Sequence, residues 1–125
     1  MAMIDSGFAA HFAANWAEAW NDHDLDAILA FLHDNFEMVS PSIVRIAGVE
    51  SGRLVGREAV SAYWTKALEM YPKLNLEIVN VLTGIDSIVI YSKIANDRFL
   101  AETFYFDNAQ SSTPMVVRSI SHYTQ

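Results

Sequence analysis

The chain has 125 residues, a length that fits one domain over residues 1–125 with a single hydrophobic core. Its formal net charge is −7 and its eight lysine and arginine residues are scattered singly, so no basic stripe is expected and nucleic acid is excluded as a partner. The absence of cysteine excludes disulfides, thiolate metal sites and a cysteine nucleophile. A composition of 52% hydrophobic and 18% charged residues is typical of a folded globular domain.

The N-terminal segment MAMIDSGFAAHFAANWAEAW lacks the features of a targeting segment. It has no basic opening, and its apolar positions are interrupted by Asp5, His11, Asn15 and Glu18. Signal peptides and membrane spans need longer uninterrupted apolar runs. We therefore expect a soluble, cytoplasmic protein that has no membrane partner.

Two helices are predicted at the start of the chain. In residues 6–20 the large apolar side chains recur at every fourth position and share one helix face: Phe8, Phe12, Trp16 and Trp20. Asp5 or Ser6 is the expected N-cap of this helix. A short second helix is expected after the polar NDHD stretch, with Asp24 as its cap and with an apolar stripe of Leu25, Ile28, Leu29 and Leu32.

A strand is predicted next, because the apolar period changes from helical to alternating. Residues 35–40 place Phe36, Met38 and Ser40 on one side, and Pro41 ends the strand since proline has no N–H to donate. A long loop with three glycines is expected to follow. This part of the chain is therefore predicted to hold one strand and no further regular element before residue 56.

A third helix is predicted between Gly56 and Pro72. Its broad apolar arc includes Tyr63 and Trp64, so core packing alone would explain these two adjacent rings. The remaining chain predicts four strands, at residues 74–82, 87–95, 98–106 and 114–123, separated by turn residues. Helices segregated from antiparallel strands indicate the α+β class.

Three stretches of the sequence resemble a known superfamily when taken in order: AWNDHDLDAILAFLHDNFEM, GREAVSAYW and VVRSISHY. The chain resembles the nuclear transport factor 2-like superfamily, and within it the SnoaL-like polyketide cyclase and ketosteroid isomerase relatives. This resemblance implies a cone-shaped, strongly curved and mostly antiparallel sheet, wrapped by three helices from the N-terminal half. It also implies a homodimer and a pocket that binds a small apolar or aromatic molecule without a cofactor.

The resemblance places the pocket between the first and third helices and the concave face of the sheet. The helices would contribute the aromatic residues Trp16, Trp20, Tyr63 and Trp64. The strands would contribute Met38, Ser40, Glu102, Phe104, Ile120 and His122. An apolar lining with a few polar groups is usual for small-molecule sites.

Glu102 is the first candidate catalytic residue. It shares a strand face with Leu100, Phe104 and Phe106, so a carboxyl group lies in an apolar row and burial should raise its pKa. The resemblance gives it the position of the oxyanion-stabilising acid of the ketosteroid isomerase relatives. Alternatively, the row faces outward or towards a partner subunit, or Glu102 pairs with Arg118 as a structural support.

His122 is the second candidate, because an imidazole titrates near neutral pH and suits a general base. A contact between Glu102 and His122 would resemble the carboxylate and imidazole pairs of many catalytic sites. The alternative is that His122 is an ordinary hydrogen-bonded residue of the core or rim. The four histidines lie on different predicted elements, so no metal site is expected.

Two positions depart from the ketosteroid isomerase relatives. Ser40 stands where the resemblance expects the catalytic aspartate, and Trp16 stands where it expects a tyrosine that donates to the oxyanion. Steroid isomerisation is therefore not expected. The sequence predicts a cofactor-independent isomerase, cyclase or dehydratase, or alternatively a non-catalytic module for carrying a ligand or for association. Arg45, Arg53 and Arg57 are expected to be solvated or paired with acids, and the less favoured alternative is that they meet an anionic group at the pocket mouth.

Overall fold

The computed structural model describes residues 3–108 and 113–124. Helices and strands follow the order α1 Ser6–Asn21, α2 Leu25–Leu29, β1 Leu32–Val39, α3 Pro41–Ala47, β2 Arg53–Val55, α4 Arg57–Met70, β3 Glu77–Thr83, β4 Ser87–Lys93, β5 Phe99–Phe106 and β6 Val116–Tyr123. A short 3-10 turn, Ala95–Asp97, joins β4 to β5. The α+β class predicted from the sequence is confirmed.

The six strands form one sheet in the order β2-β1-β6-β5-β4-β3. Strands β3 to β6 are antiparallel neighbours in chain order, as the turn signals between them predict. The exception is the pairing of β1 with β6, which is parallel. The sheet is therefore mostly antiparallel, and its N-terminal and C-terminal parts meet at the β1 and β6 pair.

The first two helices begin at the predicted caps. The Asp5 carboxylate accepts a hydrogen bond from the backbone N–H of Phe8 at 2.9 Å, and the Asp24 carboxylate accepts one from Ala27 at 3.1 Å. These bonds satisfy donors that have no partner within a helix. Helix α2 is shorter than predicted, because the chain enters β1 at Leu32, where the Phe31 carbonyl accepts from the Val116 N–H of β6 at 2.9 Å.

The predicted long loop after Pro41 is wrong in part, because it contains helix α3 and strand β2. The described residues thus form four α-helices where three were expected. Ser40 caps α3 by accepting from the Ser42 N–H at 3.2 Å, and Pro41 occupies the first turn. Gly48 ends the helix with a left-handed φ of 70°. Proline at a helix start and glycine just after its end favour a short helix, so Pro41 and Gly48 were a usable signal for α3 in the sequence.

The core lies between the helices and one face of the sheet. It is dominated by aromatic rings from α1, α4 and β5, namely Phe12, Trp16, Trp20, Trp64 and Phe104. Burial alternates along β4 and β5, so each strand turns one side to this core.

Within residues 3–108 and 113–124, no helix has both the length and the apolar character that a membrane span requires. The cytoplasmic location stays a prediction.

Candidate functional site

A partly enclosed cavity of about 210 Å³ lies between helices α1, α3 and α4 and the inner face of the sheet. Its walls are largely apolar, with Trp20 from α1, Tyr63 and Trp64 from α4, and Met38 and Leu100 from the strands. Drug-sized ligands usually occupy about 300–1,000 Å³. The cavity is therefore smaller than a usual site for a drug-sized molecule.

Glu102 provides a buried carboxyl group on the cavity wall. Its side chain points to the same side of β5 as Leu100 and Phe104, and it lies opposite Ser121 of β6. Only 7% of the residue is exposed. The predicted apolar row and the inward direction of Glu102 are therefore confirmed.

Burial raises the pKa of Glu102 to about 7, because an ionised carboxylate loses hydration in this environment. The Ser119 hydroxyl is near the Glu102 carboxyl group and limits this rise in its pKa. Ser119 Oγ forms no hydrogen bond of ordinary geometry with a described residue. At neutral pH the carboxyl group is thus present in both protonated and ionised forms. Arg118 does not support it, since the Arg118 Nε contacts the Glu37 carboxylate at 2.9 Å.

A group of hydroxyls lies on the α3 side of the cavity. Ser40 Oγ and Ser42 Oγ are 2.7 Å apart, and the Ser42 hydroxyl also hydrogen-bonds the Tyr63 hydroxyl. The Tyr123 hydroxyl lies 3.4 Å from Ser42 Oγ. Burial raises the pKa of Tyr63 to about 12, so this phenol keeps its proton at neutral pH and remains a hydrogen-bond donor.

Half of the ten predicted site residues line the cavity: Trp20, Met38, Tyr63, Trp64 and Glu102. Ser40 is buried next to the cavity, and its hydroxyl contacts that of the lining residue Ser42. The Ser40 hydroxyl caps α3, so Ser40 begins a helix, whereas it was predicted to be the last residue of the strand. The catalytic and ligand-binding roles of the ten residues stay predictions.

Trp16 and Phe104 lie in the core and do not line the cavity. Their ring centroids are 4.9 Å apart, and both residues are almost completely buried. Trp16 also contacts Trp64, which does line the cavity. The four-residue spacing of α1 correctly placed Trp16 and Trp20 on one face, but only Trp20, one turn later, reaches the cavity.

The inward orientation expected for Ile120 and His122 is wrong. Residue Ser121 lies opposite Glu102, whereas His122 lies opposite Ala101 on the other face and is exposed. Side chains alternate along a strand, so Glu102 and His122 are on opposite faces of the sheet and the expected contact between them does not form.

An irregularity at the start of β6 explains the error. Phe106 pairs with Val116, but Tyr105 pairs with Arg118, so Val117 is an extra residue. One extra residue moves every following side chain to the opposite face. Counting in steps of two from the buried Val116 would therefore place Ile120 inward, although the inward residues of β6 after the bulge are Ser119, Ser121 and Tyr123.

Several cavity residues were not predicted from the sequence. Ser42 lies on the overlooked helix α3, and Ser121 and Tyr123 follow the bulge of β6. Arg98 follows the 3-10 turn and lines the cavity together with Arg45. Of Arg45, Arg53 and Arg57, the three arginines considered from the sequence, Arg45 alone lines the cavity. The Ser-Pro start of α3 was a usable signal for Ser42, whereas the bulge left no comparable signal in the sequence.

No metal site is indicated by the described part of the chain, where no three histidine or acidic side chains cluster suitably. Among the described residues that line the cavity there is one carboxyl group, that of Glu102, and no imidazole. The polar groups of this lining include that carboxyl group, the hydroxyls of Ser42, Tyr63, Ser121 and Tyr123, and the guanidinium groups of Arg45 and Arg98.

Comparison with known proteins gives the family. A search of curated protein sequences found no match. A sequence profile of the SnoaL-like domain matches residues 13–124. A SnoaL-like protein of unknown function from Burkholderia thailandensis E264 is 46% identical, and its crystal structure aligns with a TM-score of 0.89 over 98% of this chain and 99% of that one.

More distant structures share the fold. A hypothetical protein with a ketosteroid isomerase-like fold from Catenulispora acidiphila, crystallised with trimethylamine, is 15% identical, with a TM-score of 0.63 over 89% of this chain and 83% of that one. TerC, co-crystallised with polyporic acid, is 11% identical, with a TM-score of 0.71 over 93% and 91% of the two chains. The resemblance noted in the sequence is confirmed, and the chain belongs to the SnoaL-like family.

Proposed function

We propose that this protein binds a small, largely apolar or aromatic carbonyl compound in the cavity and moves a proton on it through Glu102. The reaction would be an isomerisation, cyclisation or dehydration that needs no cofactor. The observation that carries the proposal is the buried Glu102 carboxyl on the wall of an aromatic cavity. A perturbed carboxyl in a cleft is a common feature of acid and base catalysts.

Enolisation is the elementary step that this arrangement supports. The Glu102 carboxylate would take a proton from the carbon beside the ligand carbonyl. The C–H electron pair would form a new C=C bond to the carbonyl carbon, and the π pair of the C=O bond would move to the oxygen to give an enolate. The carboxyl group would then return the proton to a second carbon. A pKa near 7 suits both halves of this step, because one group must accept and then donate at neutral pH.

The tyrosine hydroxyls of the cavity would stabilise the enolate oxygen. Tyr63 and Tyr123 line the same cavity, and Tyr63 keeps its proton at neutral pH. Donors that are held in place before reaction are effective at stabilising a developing oxyanion. Ser40, the position of the general base in the isomerase relatives, carries no basic group, so the base role falls to Glu102 in this chain.

Carrying a ligand without reaction is the second candidate function. It is favoured by the absence of a second carboxyl or imidazole group among the described residues that line the cavity. The complexes of the C. acidiphila protein with trimethylamine and of TerC with polyporic acid support small-molecule binding by this fold and are equally compatible with both candidates. A test must therefore separate binding from proton transfer.

Proton transfer can be tested with 2-tetralone, a two-ring ketone, in deuterated buffer. We expect the protein to accelerate deuterium exchange at the carbon beside the carbonyl, as followed by proton NMR. Glu102→Gln keeps the shape of the side chain but removes the base, so the acceleration should fall by about 10²–10⁴-fold. Binding of 2-tetralone is measured in parallel by calorimetry.

Glu50→Gln is the matched control, because Glu50 is exposed in the loop between α3 and β2 and does not line the cavity. This variant should exchange deuterium at the wild-type rate. Exchange that survives in Glu102→Gln would contradict the assignment of the base. Binding of 2-tetralone without any exchange by the wild-type protein would instead support the ligand-carrying function.

A homodimer formed through the outer face of the sheet is part of the proposal. Half-buried apolar side chains cover that face, including Val89 and Tyr91 of β4 and Ile120 of β6. Exposed apolar surface of this kind often marks an interface. Light scattering at micromolar concentration should give twice the 14.0 kDa mass of the chain.

The interface is tested by Ile120→Lys, which should shift the mass towards one chain because a charge would be buried. Met70→Lys is the control, since Met70 is exposed at the end of α4 on the helical side of the sheet. A single-chain mass for the wild-type protein would contradict dimerisation, and dissociation by both variants would contradict the position of the interface.

A further inference from the structure

The polar groups of the cavity are separated by depth. Glu102 and Ser121 are buried on the inner wall, whereas Arg45, Asn96 and Arg98 are exposed residues and therefore form the mouth. A molecule that fills the cavity would have its apolar body between these two polar ends. The mouth thus controls which group the outer end of the ligand can carry.

Both arginines at the mouth contact the same aromatic ring. The guanidinium carbon of Arg45 lies 5.9 Å from the centroid of the Tyr123 ring, and that of Arg98 lies 5.7 Å from it. Contact with the ring limits the freedom of each guanidinium and reduces its hydration. Two cations that are 53 positions apart in sequence are therefore held close together at one opening.

These two arginines differ from the other three in their ionic partners. Arg53 and Arg118 contact the Glu37 carboxylate, and Arg57 contacts Asp34. Within the described ranges, neither arginine of the mouth forms an ion pair with a carboxylate, although the chain contains 15 acidic residues. The positive charge at the mouth is thus left available for an anion from outside the protein.

The local structure holds Arg98 at the opening. The Arg98 carbonyl accepts a hydrogen bond from the Ile94 N–H at 2.8 Å, which closes the turn between β4 and β5. Two consecutive residues of this turn, Asn96 and Asp97, have left-handed φ angles of 62° and 56°. The Asp97 carboxylate contacts Lys93 at 3.2 Å, so the acid beside Arg98 in sequence is directed to another partner.

We propose that Arg45 and Arg98 bind a carboxylate at the outer end of the ligand. This inference rests on the proposed function and narrows its substrate class to carboxylic acids with a compact apolar or aromatic body. Guanidinium groups bind carboxylates and phosphates through paired N–H donors. A carboxylate is the smaller of the two anions and leaves more of the 210 Å³ for the ring system.

The test compares two probes of nearly equal shape, 2-naphthoate and 2-naphthamide, by calorimetry. The wild-type protein should bind the naphthoate more tightly, and raising the salt concentration from about 50 to about 500 mM should weaken only that probe. Arg45→Gln and Arg98→Gln should each weaken naphthoate binding by about three- to tenfold, because partly exposed charge pairs contribute modestly. Neither variant should change naphthamide binding.

Arg57→Gln is the control, because Arg57 contacts Asp34 and does not line this cavity. Unchanged naphthoate affinity in both mouth variants, with naphthamide still bound, would overturn the inference and leave the proposed function intact. Tighter binding of 2-naphthyl phosphate than of 2-naphthoate would overturn the choice of carboxylate. Binding of neither naphthoate nor naphthamide would overturn the proposed function, and the inference with it.

Discussion

Glu102→Gln should make the protein more stable than the wild type near pH 8 and leave its stability nearly unchanged near pH 4.5. Burial raises the pKa of the native carboxyl group from 4.5 to about 7. Above that pH the wild-type protein must keep an ionised carboxylate in an apolar wall, whereas glutamine remains neutral. The variant thus avoids the cost of this buried charge.

The sign of the pH dependence follows from proton binding. Between pH 4.5 and about 7 the native carboxyl group keeps a proton that the unfolded chain releases. The free energy of unfolding contributed by this group therefore falls as the pH rises through that window, and the loss is complete above it. Each tenfold difference in proton affinity corresponds to about 1.4 kcal/mol, so the full difference between variant and wild type is roughly 3 kcal/mol.

Urea denaturation of both proteins across the window measures this difference directly. Subtracting the wild-type free energy of unfolding from that of Glu102→Gln removes the contribution of the other titrating groups. Glu50→Gln, at an exposed position, should follow the wild-type curve at every pH. A difference that does not grow with pH would mean that the carboxyl group is hydrated or paired in the native protein.

Local patterns in the sequence predicted most of the fold. The four-residue spacing in α1 and the carboxylates of Asp5 and Asp24 involve neighbours along one helix, so the sequence alone contains the information. The alternation around Glu102 likewise placed its carboxyl group on the buried side of β5. These features need no knowledge of which distant segments come into contact.

The candidate site was predicted less completely, because it depends on distant contacts. The extra residue Val117 is recognised only when β5 and β6 are aligned, and without that alignment His122 and Ser121 exchange faces. Arg45 of α3 and Arg98 of the turn between β4 and β5 both contact the ring of Tyr123 in β6, so three distant segments form this part of the site. Whether an aromatic ring lies in the core or lines the cavity also depends on the position of its residue along the helix or strand. The periodicity of the sequence indicates only which face of the helix or strand the ring is on.

Trp16→Ala should destabilise the protein by about 3–5 kcal/mol, the usual cost of removing a large aromatic side chain from a packed core. Only 2% of Trp16 is exposed, and its ring lies near five others, at centroid distances from 4.9 Å for Phe104 to 6.2 Å for Trp20. From the sequence, Trp16 was instead predicted to line the pocket. Thermal and urea denaturation measure the loss of stability.

Tyr71→Ala provides the contrast that separates packing from binding. Tyr71 lines the cavity but is 48% exposed, so its removal should cost less than about 1 kcal/mol of stability. Removing the Tyr71 ring should nevertheless weaken the binding of 2-tetralone, because the ligand loses an apolar wall.

Trp16→Phe should recover part of the stability lost in Trp16→Ala, since a smaller ring still fills much of the space. A stable Trp16→Ala protein with weak ligand binding would show instead that this ring faces the cavity in solution.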